Sequence, residues 1–230
     1  MKNILIIGGS HGIGRSLATQ LANNHKVIIL SRTYEEPIPN ATHHTFNVLT
    51  DDISDIDLPD TIDGLAYCPG TINLKPFSML KTEVFEEDLQ LNFLSVIKIL
   101  KALYNPLKNS DSASVVLFST VAVKIGMPFH TSVAAAKGAL EGFAKALAAE
   151  WAPTIRVNTI APSLTDTPLA SRLLGNEAKK EKMDARHPLK RVGTANDIAE
   201  TAAFLLSDKA SWITGQVLGV DGGIGALNLS

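Results

Sequence analysis

Cysteine is nearly absent from this chain, with Cys68 the single example in 230 residues. One thiol excludes an internal disulfide framework and any multi-cysteine metal site, and it suits a reducing compartment. An excess of either charge is missing too. Lys and Arg number 21 against 23 Asp and Glu, a net charge of −2, so nothing electrostatic points to nucleic acid or an anionic membrane as partner. No apolar run approaches the roughly 18 residues that span a bilayer, and the first apolar stretch, residues 4–7, is too short for the hydrophobic part of an export signal. Internal repeats, low-complexity tracts and interdomain linkers are also absent. The expectation is one domain over residues 1–230 with one sizeable core, located in the cytoplasm.

Apolar, strand-like runs alternate with helical stretches along the whole chain. Strands are expected at 3–7, 26–30, 42–47, 64–68, 114–119, 156–161 and 216–220. Most are continuous apolar runs, as in a parallel sheet covered on both faces. Helices are expected at 13–23, 81–107, 131–150 and 195–206, the last with start signals at Thr194, Asn196 and Asp197. This βα alternation implies a Rossmann-type doubly wound parallel sheet in three α/β/α layers, with ligands outside the carboxyl ends of the strands. The links at 33–41, which contains Pro37 and Pro39, and at 51–61 are too short for ordinary crossover helices. The polar stretch 170–191 is long instead, and the region around 165–191 is expected to form a lid over the ligand edge.

The junction after the first strand carries the most chemistry. Ile4-Leu5-Ile6-Ile7 runs into Gly8-Gly9-Ser10-His11-Gly12-Ile13-Gly14, and a helical pattern follows at once. A strand feeding a glycine-rich turn and a helix start builds an anion site from free N–H groups and the helix dipole. Gly8 serves the tight turn, Gly12 leaves room for a pyrophosphate, and Gly14 lets the helix approach the strand. A dinucleotide is the expected ligand. Ser31-Arg32 ends the second strand, where an acidic residue would bind the free 2′-hydroxyl of NAD. Arg32 offers a planar, permanently charged fork to a 2′-phosphate, with His11 as a weaker second contact, so NADP(H) is favoured over NAD(H).

With these motifs in place the chain resembles the short-chain dehydrogenase/reductase family over nearly its whole length. Cys68-Pro69-Gly70 stands where that family has Asn-Ala-Gly, and Asn92 lies in the expected long helix. Phe118-Ser119-Thr120 closes the fifth strand as the family's Ser-Ser pair does. Lys137, Arg156-Val157-Asn158, Ala161-Pro162, Asp166-Thr167-Pro168, Trp212-Ile213-Thr214-Gly215-Gln216 and Val220-Asp221-Gly222-Gly223 follow in order. The resemblance implies a nicotinamide oxidoreductase acting on a small-molecule substrate. It also implies a homodimer or homotetramer, and the small residues Ala134, Ala135, Ala136, Gly138 and Ala139 permit close helix approach. By the same resemblance Asn47-Val48 stands beside the adenine, Pro69-Gly70 near the ribose, Pro162 and Thr165 along the nicotinamide loop, and Thr167 at the carboxamide.

The family's catalytic set is Asn, Ser, Tyr and Lys, with the Tyr four residues before the Lys on one helical face. Here that position is Val133, which has no proton to transfer. Asn92 and Lys137 remain, Thr120 keeps a hydroxyl at the Ser position, and the neighbouring Ser119 is an alternative to it. His130, seven residues before Lys137, matches the tyrosine spacing of the family's enoyl-reductase branch. It is a candidate general acid, or else an ordinary helix-start histidine. Two functions stay open: an NADP(H)-dependent reductase of a small carbonyl or conjugated C=C bond with a non-standard proton donor, and a catalytically inactive nucleotide sensor or interaction protein on the same scaffold. An epimerase or dehydratase of the extended branch is the weakest reading, because no C-terminal substrate domain is evident.

Overall fold

In the computed structural model, which describes residues 1–228, the first apolar run is strand β1 (Asn3–Ile7). Successive side chains feed opposite cores. Ile4 and Ile6 pack with Leu17, Leu21, Ile198 and Leu205, whereas Leu5 and Ile7 pack with Val96, Ile99, Leu103 and Leu140. A strand buried on both faces has no polar side to show, and this is why the sequence lacks alternation there.

The chain continues through α1 (Gly12–Leu21), β2 (Lys26–Ser31), β3 (Ala41–Thr45), β4 (Gly64–Tyr67), α2 (Thr82–Leu89) and α3 (Ser95–Lys108). After these come β5 (Ala113–Phe118), α4 (Val121–Ile125), α5 (Thr131–Trp151), β6 (Ile155–Pro162), β7 (Thr165–Asp166), α6 (Glu177–Arg186), β8 (Gly193–Thr194), α7 (Ala195–Leu206) and β9 (Val217–Val220). Seven strands form one parallel sheet in the order β3-β2-β1-β4-β5-β6-β9. The strand order reverses between β1 and β4, and the crevice above that switch is where such sheets hold ligands. Helices α1 and α7 cover one face, α3 and α5 the other. The expected doubly wound α/β fold is therefore present. Among the described residues no helix is long and apolar enough to cross a membrane.

Three local features differ from, or sharpen, the sequence reading. The third strand was expected to reach residue 47, but β3 ends at Thr45. There Asn47 turns the chain, accepting the Leu49 N–H at 3.1 Å while its own N–H donates to Asp51 at 2.8 Å. The single helix expected at 81–107 is instead α2 and α3 joined by a π-helical turn, Gln90–Leu94. Side chains satisfy the carbonyls that this widened turn releases: Asn92 Nδ2 donates to the Asp88 carbonyl at 2.8 Å, and Ser95 Oγ to that of Leu91 at 2.7 Å. Inserted donors of this kind are a standard cause of such bulges.

The segment 165–194 has a closed base, since β7 pairs with β8. At the end of β8, Thr194 forms a capping box with Asp197 at the start of α7, and Arg191 grips Asp197 with two bonds of 2.6 and 2.7 Å. This segment thus ends on a capped helix, while α6 within it buries no residue.

Candidate active site

The glycine loop lies at the carboxyl end of β1 and runs into α1. Gly14 has no room for a side chain, because a Cβ there would fall 2.3 Å from the Gly8 carbonyl oxygen. Gly12 adopts φ +52°, a left-handed conformation that disfavours other residues, and faces Thr167 across the crevice. The α1 N-cap, His11, makes no side-chain capping bond, and its Nδ1 pairs with Ser10 Oγ at 2.9 Å. The first-turn amides that end beside Ile13 are therefore left for a ligand.

At the end of β2, Ser31 is buried and its hydroxyl is engaged by the Thr33 carbonyl at 2.8 Å and His43 Nε2 at 2.9 Å. Arg32, the next residue, is exposed and has no carboxylate within ion-pair distance among the described residues. Val48 is buried beside half-buried Asn47, whose Oδ1 is taken by its own turn.

A cavity of about 430 Å³ opens beyond the carboxyl ends of β4, β5 and β6. Pro69, Gly70, Thr120, His130, Val133 and Lys137 line one part of it, and Pro162, Thr165 and Thr167 another. Lys137 is only 6 % exposed and makes no hydrogen bond to the described residues. Burial lowers its ammonium from the usual 10.5 to about 8, with Cys68 and, less strongly, Asp88 acting in the opposite direction. At Gly70 a Cβ would lie 3.4 Å from Asn92 Oδ1 and 3.7 Å from Lys137 Nζ, so both polar atoms border space that glycine leaves open. An unpartnered buried amine beside such a space fits the hydroxyls of a nucleotide ribose.

Asn92 itself is fully buried and stands behind this wall rather than on it. Thr120 caps α4, accepting the Ala122 N–H at 3.3 Å, and faces the cavity. The alternative hydroxyl, Ser119, donates to Glu141 on α5. Cys68 contributes part of one wall in surroundings dry enough to push its thiol up to about 12, so it is neutral there. Val133 is buried at the register four before Lys137, and the His130 ring lies on the same wall with Nδ1 at 2.7 Å from the Pro128 carbonyl. That contact fixes Nδ1 as the protonated nitrogen and leaves Nε2 without a bond to the described residues.

Sequence reasoning missed two polar groups. Asp88 is fully buried and accepts from Thr71 Oγ1 at 2.5 Å, from Asn73 Nδ2 at 2.8 Å and from Ser132. Ser132, next to Val133 on α5, is buried and points to Asp88. The only signal for Asp88 in the sequence is its place four residues before Asn92. The other group is Ser163 with His187, whose Nε2 lies 2.8 Å from Ser163 Oγ while Nδ1 meets the Met183 carbonyl at 2.9 Å. It ties the end of β6 to the residue that follows α6, and no local spacing marks it.

The family profile described as enoyl-(acyl carrier protein) reductase matches residues 43–225. The chain is 34 % identical to a tropinone reductase homolog of Arabidopsis thaliana, covering 96 % of this chain and 92 % of that protein. The chain belongs to the short-chain dehydrogenase/reductase family. It is also 30 % identical to the 3-oxoacyl-[acyl-carrier-protein] reductase FabG of Chlamydia trachomatis, with 97 % of each chain covered. Among solved structures, a short chain dehydrogenase family protein from Francisella tularensis superposes with a TM-score of 0.90 at 30 % identity, covering 99 % of this chain and 100 % of that one. ElxO with NADP bound superposes with a TM-score of 0.87 at 25 % identity, with the same coverage. These relatives are short-chain oxidoreductases, a family that binds nicotinamide cofactors.

Proposed function

We propose that this protein is an NADP(H)-dependent oxidoreductase that reduces a small carbonyl or conjugated C=C bond, with His130 as the proton donor in place of the family's tyrosine. One observation carries the reading. The wall that presents Val133 at the tyrosine register also presents an imidazole whose Nδ1 is anchored at 2.7 Å and whose Nε2 is free. Histidine is the side chain best suited to give up a proton near neutral pH.

Gly8, Ser10, Gly12, Ile13 and Gly14 would hold the pyrophosphate at the start of α1, and Arg32 with His11 the 2′-phosphate. Asn47 and Val48 would border the adenine, Pro69, Gly70 and Lys137 the nicotinamide ribose, and Pro162, Thr165 and Thr167 the carboxamide. Preference for NADP(H) over NAD(H) rests on the unpaired Arg32 fork. When bound, the nicotinamide supplies the hydride. The chain's own part is to orient the substrate oxygen with Thr120, deliver a proton from Nε2 of the His130 ring in its doubly protonated, imidazolium form, and exclude water with the lid. Apolar side chains on the cavity wall, Leu74, Met127, Phe129, Leu169 and Leu173, suit a small hydrophobic substrate. The reading includes a homodimer or homotetramer built on the outer face of α5, where Ala135 and Gly142 are exposed; the mass in solution tests it.

The deciding experiment follows NADPH oxidation against aldehydes, quinones and enones for the wild type and for His130→Ala. Turnover is expected to fall by about 100-fold or more, with NADPH affinity unchanged. Equal turnover in the two proteins removes His130 from the mechanism. NADPH binding by the wild type without turnover on any of these classes overturns the catalytic reading.

A further inference from the structure

We propose that Ser163 and His187 form a second reactive centre in the cavity, a nucleophile and its base, able to hydrolyse short acyl esters. Neither residue has a part in the reduction proposed above. Hydrogen-bond polarity carries the pairing. The Met183 main-chain oxygen can only accept, so the His187 nitrogen facing it at 2.9 Å, Nδ1, holds the ring hydrogen. In the neutral ring Nε2 then only accepts, and its partner at 2.8 Å is the Ser163 hydroxyl. The serine hydrogen is thereby aimed at the lone pair that receives it when Oγ attacks an acyl carbon. A nucleophile within reach of a base, with the base held by a third group, is the recurring arrangement of such centres.

Burial and access divide between the two side chains as this chemistry requires. His187 is only 3 % exposed, and its ring backs onto Gly222, where a Cβ would lie 3.4 Å from Cδ2. The third group is a carbonyl rather than a carboxylate, so activated esters are the substrates to react first. Ser163 is half-buried and lines the cavity together with Leu164, Leu173, Met183 and Ile224, apolar neighbours for a short acyl chain. The Leu164 N–H, next after the nucleophile, lies between β6 and β7 and donates to no described residue. An unpaired main-chain N–H in that place is available to the oxyanion that forms. Ser163 Oγ bonds to the carbonyl carbon as its hydrogen passes to Nε2. The bond to the alkoxy oxygen then breaks, and that oxygen leaves with the hydrogen from Nε2. Water attacks the acyl carbon by the same route, giving the carboxylic acid and restoring Ser163.

The test needs no nucleotide, so its result and that of the NADPH oxidation assay are independent. The wild type is incubated with a fluorophosphonate, under conditions that label a known serine esterase to completion, and the adduct is located by peptide mass spectrometry. Hydrolysis of p-nitrophenyl butyrate is followed in parallel. The adduct is expected on Ser163, with Ser163→Ala unlabelled and its hydrolysis at the uncatalysed background. His187→Gln keeps a polar side chain but cannot act as base, and both labelling and hydrolysis should slow by about 100-fold. A wild type with no adduct on Ser163, or a Ser163→Ala that hydrolyses the ester as fast as the wild type, overturns the proposal and leaves the pair a purely structural link. Labelling at the wild-type rate in His187→Gln overturns it as well. If His187→Gln does not fold, the adduct site in the wild type and the rate of Ser163→Ala decide the matter by themselves.

Discussion

Replacing Lys137 with methionine should make the protein more stable and less functional. The lysine is almost completely buried, and burial lowers its ammonium from 10.5 to about 8, a net value that already includes the opposing effects of Cys68 and Asp88. At about 1.4 kcal/mol per pH unit, keeping this charge in the folded state costs ~3 kcal/mol. Methionine fills a similar volume without the charge, so Lys137→Met should gain up to that amount at neutral pH. In a domain of this size the gain corresponds to about 6–12 °C in Tm. The pH dependence carries a definite sign, since the folded-state value lies below the unfolded one. Below pH 8 both states are protonated and the full cost is present. Between 8 and 10.5 only the unfolded state holds the proton, so wild-type stability rises with pH. The gap between variant and wild type should therefore be widest at neutral pH and close towards pH 10.5. Thermal unfolding of both proteins at several pH values measures it, and NADPH titration should show the accompanying loss of nucleotide affinity. A variant less stable than the wild type at neutral pH, or a gap that does not narrow with rising pH, refutes the reasoning.

Gly14→Ala forces a Cβ to within 2.3 Å of a backbone oxygen that has little freedom to move; stability should fall by ~1–3 kcal/mol, and NADPH should no longer shift the unfolding temperature. Arg32→Ser should weaken NADPH by about 10–100-fold and leave NADH nearly unaffected, as isothermal titration with both nucleotides would reveal. Asp197→Ala removes the α7 capping box and the two-pronged contact with Arg191, for a loss of ~1–2 kcal/mol in urea unfolding. Arg191 and Thr194 hold the Asp197 carboxyl well below the usual carboxylate range, so its contribution is present at neutral pH and is lost only in strong acid.

The sheet and its phosphate-type loop were legible because they are written locally. Seven apolar runs correspond to the seven strands, with ends displaced by a residue or two. The glycines at 8, 12 and 14 announced the strand-to-helix junction, and Val133 announced itself by its distance from Lys137. The break in the long helix was not legible. Residues 81–107 keep helical spacing, and the π-helical turn depends on Asn92 and Ser95 turning inward to carbonyls of their own helix. Nor was the link between β6 and the end of α6 visible, since Ser163 and His187 belong to separate segments.

The sequence by itself determined the parallel α/β architecture, the glycine-rich turn at its ligand edge and the valine four residues before Lys137, because each follows from residue type and spacing within one element. Tertiary structure alone decided that Asn92 stands behind the cavity wall, that Lys137 is buried without a partner, and that Asp88 joins Thr71, Asn73 and Ser132. Those partners lie 15 to 44 residues from Asp88 along the chain. Periodicity describes neighbours within a helix or a strand, whereas a buried carboxylate finds its donors only when the sheet brings the ends of different elements together.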